Sequence, residues 1–267
     1  YEQAIQHLTE LYQAQGYLSA RVGPAVLERV GRGRAVVAIP VYEGPRTLLF
    51  GVSLQGNELI GDRELLAAAG LGRGEPFSYL ALEDAVRRMT ELYQERGYLY
   101  ARIEPDVRFS ENRERAEVAI RIIERFEVRI GEIAVEGASR TDEGLVRDVL
   151  RFRPGDLYRP SVIRASQDAL MALGVFTSVT ITPQNPELPE RVKPVVVTVH
   201  ERLPYFFDAS VGISTGQGFR AGAELQFRNL GGYALDLAVR GQVGFQFIFQ
   251  DAELEQNIGS LPLKEDE

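Results

Sequence analysis

Hydrophobic positions follow two rules in turn along this chain. Stretches with apolar residues at helical spacing (Ala4, Ile5, Leu8, Leu11 and Tyr12; Leu82, Ala85, Val86, Met89, Leu92 and Tyr93) stop at a glycine and give way to stretches in which apolar and polar residues alternate. The first spacing lays a stripe along one face of a helix; the second sends every other side chain to one face of a strand. The stop is nearly the same phrase each time, Gly16-Tyr17-Leu18-Ser19-Ala20-Arg21 and Gly97-Tyr98-Leu99-Tyr100-Ala101-Arg102, with Gly174-Val175-Phe176 in the matching place further on. Glycine suits the stop because it leaves a helix through a left-handed conformation that other residues adopt reluctantly.

Taken in order, the pattern predicts a repeated unit. A helix to Gln15, strands over 17–22 and 35–41 with a turn at Gly31-Arg32-Gly33, and a close at Glu43 read as α-β-β, the back of a unit. The next segment predicts a strand over 48–54, a turn at Gly56-Asn57, a short helix capped by Asp62, a break over 70–77, a helix over 80–96 and strands over 98–107 and 116–123, closing at Glu124. A third segment repeats that β-α-α-β-β order with strand 126–135, turn Gly137-Ala138, a cap at Thr141, helix 160–173, and strands over 178–182 and 194–199, closing at Glu201. Gly16 and Gly97, Gly56 and Gly137, and Gly74 and Gly155 are each 81 residues apart, whereas Gly174 follows Gly97 by 77, which a shorter second helix accounts for. A fixed period of this kind marks tandem modules. The predicted divisions are 1–45, 46–125, 126–203 and 204–267.

After Pro204 helical spacing is lost and only alternation remains. Ala209, Val211 and Ile213, then Ala221, Ala223, Leu225 and Phe227, then Tyr233, Leu235, Leu237, Val239, Val243, Phe245, Phe247 and Phe249 fall on one face, opposite polar residues and glycines. Gly216-Gln217-Gly218 and Asn229-Leu230-Gly231-Gly232 supply the turns. Two or three strands of about ten residues, apolar on one side and polar on the other, read as the start of an antiparallel membrane barrel, although a half-buried sheet shows the same alternation. The acidic stretch 251–267 reads as a loop or end.

Composition removes several chemistries. The chain has no cysteine, so disulfides and thiolate sites are excluded, and its net charge of −8 argues against nucleic acid as partner. His7 and His200 have no nucleophile or second ligand nearby in sequence, and Gly70, Gly72 and Gly74 lack the strand, helix and trailing lysine of a phosphate loop. No catalytic residue, metal or cofactor is therefore expected. A chain opening at Tyr1 in mid-helix is expected to be a piece of a longer protein, with a leader upstream and more strands downstream.

The β-α-α-β-β units, with Gly-Asn at the first turn, Gly-x-Pro-Phe or Gly-Asp-Leu-Tyr at the break, and Gly-Tyr-Leu or Leu-Gly-Val-Phe before the middle strand, resemble POTRA (polypeptide-transport-associated) domains; the closing Glu43, Glu124 and Glu201 fit as well. The run from Gly212 to Arg220 and Arg228-Asn229-Leu230-Gly231-Gly232 resemble the first barrel hairpins of the BamA and TamA superfamily. The resemblance implies an α+β chain of tandem POTRA repeats followed by outer-membrane barrel strands. It further implies a non-enzymatic role in assembling barrel proteins or translocating polypeptides at the bacterial outer membrane, with the repeats in the periplasm. Implied partners are unfolded outer-membrane proteins, periplasmic accessory proteins, and lipid through the residues after 204. A two-partner secretion pore and a periplasmic scaffold without a barrel remain open alternatives. An edge strand offers unpaired backbone to an extended client. The candidate edge residues are Tyr98, Tyr100 and Arg102, and Val175, Ser178 and Thr180, unless a neighbouring repeat or charges such as Arg102 and Glu104 shield them. Gly16, Gly56, Gly97, Gly137 and Gly174 are expected to be structural turn residues.

Overall fold

The computed structural model describes residues 2–29, 35–214 and 218–245. The expected turn at 31–33, most of that at 216–218, the apolar positions Phe247 and Phe249, and the acidic stretch 251–267 lie outside the described residues.

The elements in chain order are α1 (Glu2–Ala14), β1 (Arg21–Val22), β2 (Val26–Arg29), β3 (Ala35–Ala38), β4 (Val41–Tyr42), β5 (Leu48–Gln55), α2 (Asp62–Ala69), α3 (Tyr79–Glu95), β6 (Arg102–Phe109), β7 (Arg115–Ile123), β8 (Arg129–Glu136), α4 (Glu143–Val149), α5 (Pro160–Ala172), β9 (Phe176–Pro183), β10 (Val192–Glu201), β11 (Tyr205–Ser214), β12 (Gly218–Leu230) and β13 (Leu235–Phe245). Two compact units result: Tyr1–Ala134 with Leu150–Ala169 and Thr180–Val197, and Val135–Val149 with Leu170–Val179 and Thr198–Glu267.

In the first unit, β1 pairs with β4 and β2 with β3, both antiparallel. The second repeat forms a sheet in the order β5-β7-β6, with β5 parallel and β6 antiparallel to the central β7. Its helices cover one face. Leu49, Leu65, Leu82, Met89, Tyr93, Val118 and Ile120 form a continuous buried core. The alternation of β7 explains the burial: Ala116, Val118, Ile120 and Ile122 are buried while Arg115, Glu117 and Arg121 are exposed. The third sheet repeats the order as β8-β10-β9.

Four local expectations are corrected. The single strand expected over 35–41 is two, β3 and β4, which pair with β2 and β1 respectively and are separated by Ile39-Pro40, so the leading segment has four short strands among the described residues in place of two. The strands expected from Tyr17 and Tyr98 begin at Arg21 and Arg102, because each phrase first makes a turn in which the N–H of Ala20 or Ala101 donates to the carbonyl of Tyr17 or Tyr98. Asp62 lies inside the first turn of α2, with Gly61 as cap, and its carboxylate accepts from Asn57 Nδ2 at 2.7 Å. Asp142, not Thr141, caps α4, accepting from the Leu145 N–H at 3.1 Å. Ser78 caps α3 through the Ala81 N–H.

The second unit ends in the sheet β11-β12-β13, antiparallel throughout. Its register sorts most side chains by polarity, the exception being the row Phe206–Gln226–Ala238, which puts two apolar residues on the mainly polar face. The rows Phe207–Leu225–Val239, Val211–Ala221–Val243 and Phe227–Leu237 fall on one face, and Asp208–Glu224–Arg240 and Ser210–Gly222–Gln242 on the other. Arg240 and Glu224 form an ion pair at 2.8 Å on the polar face. Val211, Val239, Val243 and Phe245 are exposed. Among the described residues no helix is long and apolar enough to cross a membrane, which says nothing of a barrel.

Candidate functional site: free strand edges and their anchors

β6 lies at an edge of its sheet. The Ser110 N–H donates to the Arg115 carbonyl at 3.0 Å, which fixes the phase of the β6–β7 ladder. With Arg102 opposite Ile123 and Phe109 opposite Ala116, residues 102, 104, 106 and 108 point their backbone groups at β7, and Ile103, Pro105, Val107 and Phe109 point theirs outward. Pro105 has no N–H. The free edge therefore has a donor missing at its centre, and the exposed Arg102, Glu104, Asp106 and Arg108 line the solvent face beside it. Proline and charge are the usual means by which an edge resists pairing.

β9, the corresponding edge of the third sheet, has neither device over Thr177-Ser178-Val179-Thr180-Ile181-Thr182; its only proline is the terminal Pro183. Ser178 and Thr180 are exposed in the middle of the strand, while Phe176 at its start and Ile181 near its end are buried on opposite faces and anchor it at both ends.

The candidate residues thus fall into two sets. Arg102, Ser178 and Thr180 are on the edge strands. Tyr98, Tyr100 and Val175 precede them and serve joints instead. Tyr98 packs edge-to-face on Tyr93 at 6.3 Å, and burial, reinforced by the charges of Glu127 and Glu124, pushes its phenol pKa up. Tyr100 Oη donates to the Leu188 carbonyl at 2.8 Å. Val175 is buried, and its carbonyl accepts the Arg202 N–H.

The phrase glycines have a partner that sequence reasoning missed. Gly16 O accepts the Thr47 N–H and Gly97 O accepts the Val128 N–H, both at 2.8 Å, so each glycine carbonyl receives the chain entering the next repeat. At Gly16, φ is +91°, and a Cβ there would stand 2.6 Å from Thr47 O. The constant spacing of 31 residues from Gly16 to Thr47 and from Gly97 to Val128 was the available signal. Gly56, Gly137 and Gly174 also have positive φ, as turn residues would.

The closing glutamates are anchors. Glu124 Oε1 accepts from Tyr93 Oη at 2.7 Å and from the Leu59 N–H at 3.0 Å. In the third repeat Leu170 stands where Tyr93 did, and Glu201 turns wholly to the loop before α4. It accepts from the Arg140 and Thr141 N–H groups, the Ser139 and Thr141 hydroxyls and the Arg140 guanidinium. Burial alone would raise the pKa of this carboxylate, but the Arg140 N–H, the two hydroxyls and the Thr141 N–H more than compensate and lower it to about 2. Thr141 Oγ1 in turn accepts from Asn229 Nδ2 at 2.9 Å, and the Asp142 N–H donates to the Gly232 carbonyl at 3.1 Å. The β12–β13 turn is thereby fastened to the loop that Glu201 organises.

Comparison with known proteins agrees with this architecture. A family model described as POTRA, surface antigen variable number repeat, matches residues 51–125 and 128–202, just over half of the chain. The outer membrane protein assembly factor BamA of Neisseria meningitidis serogroup B is 23% identical over 197 residues, covering 68% of this chain and 25% of that protein. A putative outer membrane protein assembly factor of Treponema pallidum is 27% identical over 201 residues, covering 72% and 23%. The chain thus spans about a quarter of the length of these relatives. Among solved structures, BamA from Haemophilus ducreyi lacking POTRA domains 1–3 superposes with a TM-score of 0.61 at 18% identity, covering 72% of this chain and 36% of that one. Haemophilus influenzae BamA POTRA3–5 gives 0.55 at 20% identity, covering 75% and 80%.

Proposed function

Because the chain belongs to the POTRA family, we propose that it is the repeat-bearing part of an outer-membrane protein assembly factor, with the repeats 46–125 and 126–203 in the periplasm and β11–β13 as the first strands of a membrane barrel. The role is non-enzymatic. Extended client segments add to the free edge of β9, and more weakly to that of β6 with its missing donor, exchanging backbone hydrogen bonds to water for a ladder, and pass toward the sheet beyond Pro204. The observation that carries this reading is the succession along one chain: repeats with open strand edges run directly into a three-stranded sheet with one apolar face and one mainly polar face. The names of the relatives point the same way.

Photo-crosslinkers at Arg102 and Thr180, introduced into the full-length protein in its membrane, test it. Barrel precursors should be captured at both positions and not at Arg87, an exposed residue of α3. Equal capture at Arg87 removes the edge reading, and capture of one dedicated exported substrate instead of many precursors moves the assignment to a secretion pore.

A further inference from the structure

The two junctions between successive repeats can be compared residue by residue, because the spacing of 81 places Ala14 in the position of Glu95, Ser19 in that of Tyr100 and Leu80 in that of Ser161. Both junctions keep the backbone bond from the glycine carbonyl, to Thr47 in one and to Val128 in the other. They differ in the side-chain ties around it.

At the second junction, Glu95 at the end of α3 accepts from the Ser161 N–H at 2.8 Å and from the Ser161 hydroxyl at the start of α5. A carboxylate on free N–H groups at a helix N-terminus is a favourable pairing. Tyr100 Oη donates to Leu188 O, a carbonyl also held at 2.7 Å by the ammonium of Lys193, which is fully buried. Tyr100 further leans on Phe126 at 6.2 Å between centroids, and the Arg191 guanidinium lies over that ring, 4.8 Å from its centroid. At the first junction Ala14, Ser19 and Leu80 can make none of these contacts. The additional ties are Leu18, which packs against the core of the second repeat, and Arg46, whose exposed Nε donates to Gln15 O at 3.0 Å and whose guanidinium lies 5.8 Å from the Tyr17 ring. Exposed bonds of this kind contribute little. At the position of the Glu95–Ser161 clamp there is instead an open, mainly apolar groove of about 520 Å³, with Glu10, Gln13, Ala14 and Leu18 on one side and Ser78, Tyr79 and Leu80 on the other. Tyr79 and Leu80 are exposed in it.

We propose that the junction between the leading segment and the second repeat is a hinge, and that the junction between the second and third repeats is locked by the Glu95–Ser161 clamp and the Tyr100–Leu188–Lys193 knot. Bending at the hinge swings α1 toward the start of α3, and closing the groove covers Leu80. The groove is room for movement left by three substitutions within an otherwise repeated joint.

The chain has no cysteine, so introduced cysteine pairs carry spin labels without background. Gln3→Cys with Glu83→Cys reports the first junction and Glu83→Cys with Arg164→Cys the second, all at exposed positions. In the full chain, the distance distribution across the first junction should be about twofold wider than across the second, reflecting domain-scale motion. Glu95→Ala should widen the second, and Ala14→Glu combined with Leu80→Ser, which transplants the clamp, should narrow the first. Circular dichroism on each variant establishes that it is folded. Equal widths in the parent chain, an unchanged second junction in folded Glu95→Ala, or a first junction left wide by the transplant overturns the proposal.

Discussion

Gly137 shows how a single side-chain-free position holds a repeat together. Its φ is +85°, and a Cβ on it would stand 2.0 Å from the carbonyl oxygen of Val199 in β10, so Gly137→Ala must move backbone as well as strain it. A loss of about 2–4 kcal/mol in unfolding free energy is expected, measurable by denaturant titration. The glycine was legible as a turn residue from its place after the first strand; the carbonyl it clears, 62 residues away in sequence, was not. Glu201 carries a second residue-scale prediction. Its carboxylate has a folded pKa of about 2 against an ordinary 4.5, so its contribution is complete above about pH 4.5 and is lost as pH falls through the folded value. That linkage is worth about 3 kcal/mol at neutral pH. Stability of the third repeat should fall between about pH 5 and pH 2, and Glu201→Gln should be less stable at pH 7 with a flatter acid limb. An acid limb unchanged in the variant would mean that other carboxylates carry it.

At the scale of elements, the two edges differ in what they offer an extended chain. Pro105 removes one outward N–H from the middle of β6, whereas the neutral Ser/Thr-rich β9 has no such gap. Pro105→Thr supplies the donor and a strand-favouring side chain, so client crosslinking at Arg102 should rise toward that at Thr180. No rise would show that charge, not the missing donor, sets the access of β6. The elements themselves were largely legible, since apolar spacing located α3, α5 and the central strands to within a few residues. The corners were not, and the reason is physical. Nothing in Gly97-Tyr98-Leu99-Tyr100-Ala101 resembles a turn by composition, yet the tyrosine rings are held by Tyr93 and Phe126, and the backbone must turn to let them pack. The caps failed for a related reason: Asp62 and Thr141 are good cap residues, but Asn57, Glu201 and Asn229 compete for the same side-chain atoms.

For the molecule as a whole, the decisive question is what covers the apolar face of β11–β13. Alternation in the sequence foretold two faces, and the pairing register brings Phe207, Leu225 and Val239 into one row and Asp208, Glu224 and Arg240 into the adjacent one. A sheet packed on protein would need a second apolar layer to bury Val211, Val239, Val243 and Phe245, all of them exposed among the described residues. Lipid needs none. If hydrocarbon is the cover, Val239→Arg in the membrane-embedded protein should make barrel insertion less favourable by about 2–4 kcal/mol, the penalty for a cation near the bilayer midplane. Gln242→Arg, three residues further along the same strand and on the polar face, should cost little, because that face meets water or the barrel interior. Urea-dependent insertion into lipid vesicles distinguishes the two, and equal tolerance of both arginines would sink the lipid assignment while leaving the repeats and their edges untouched.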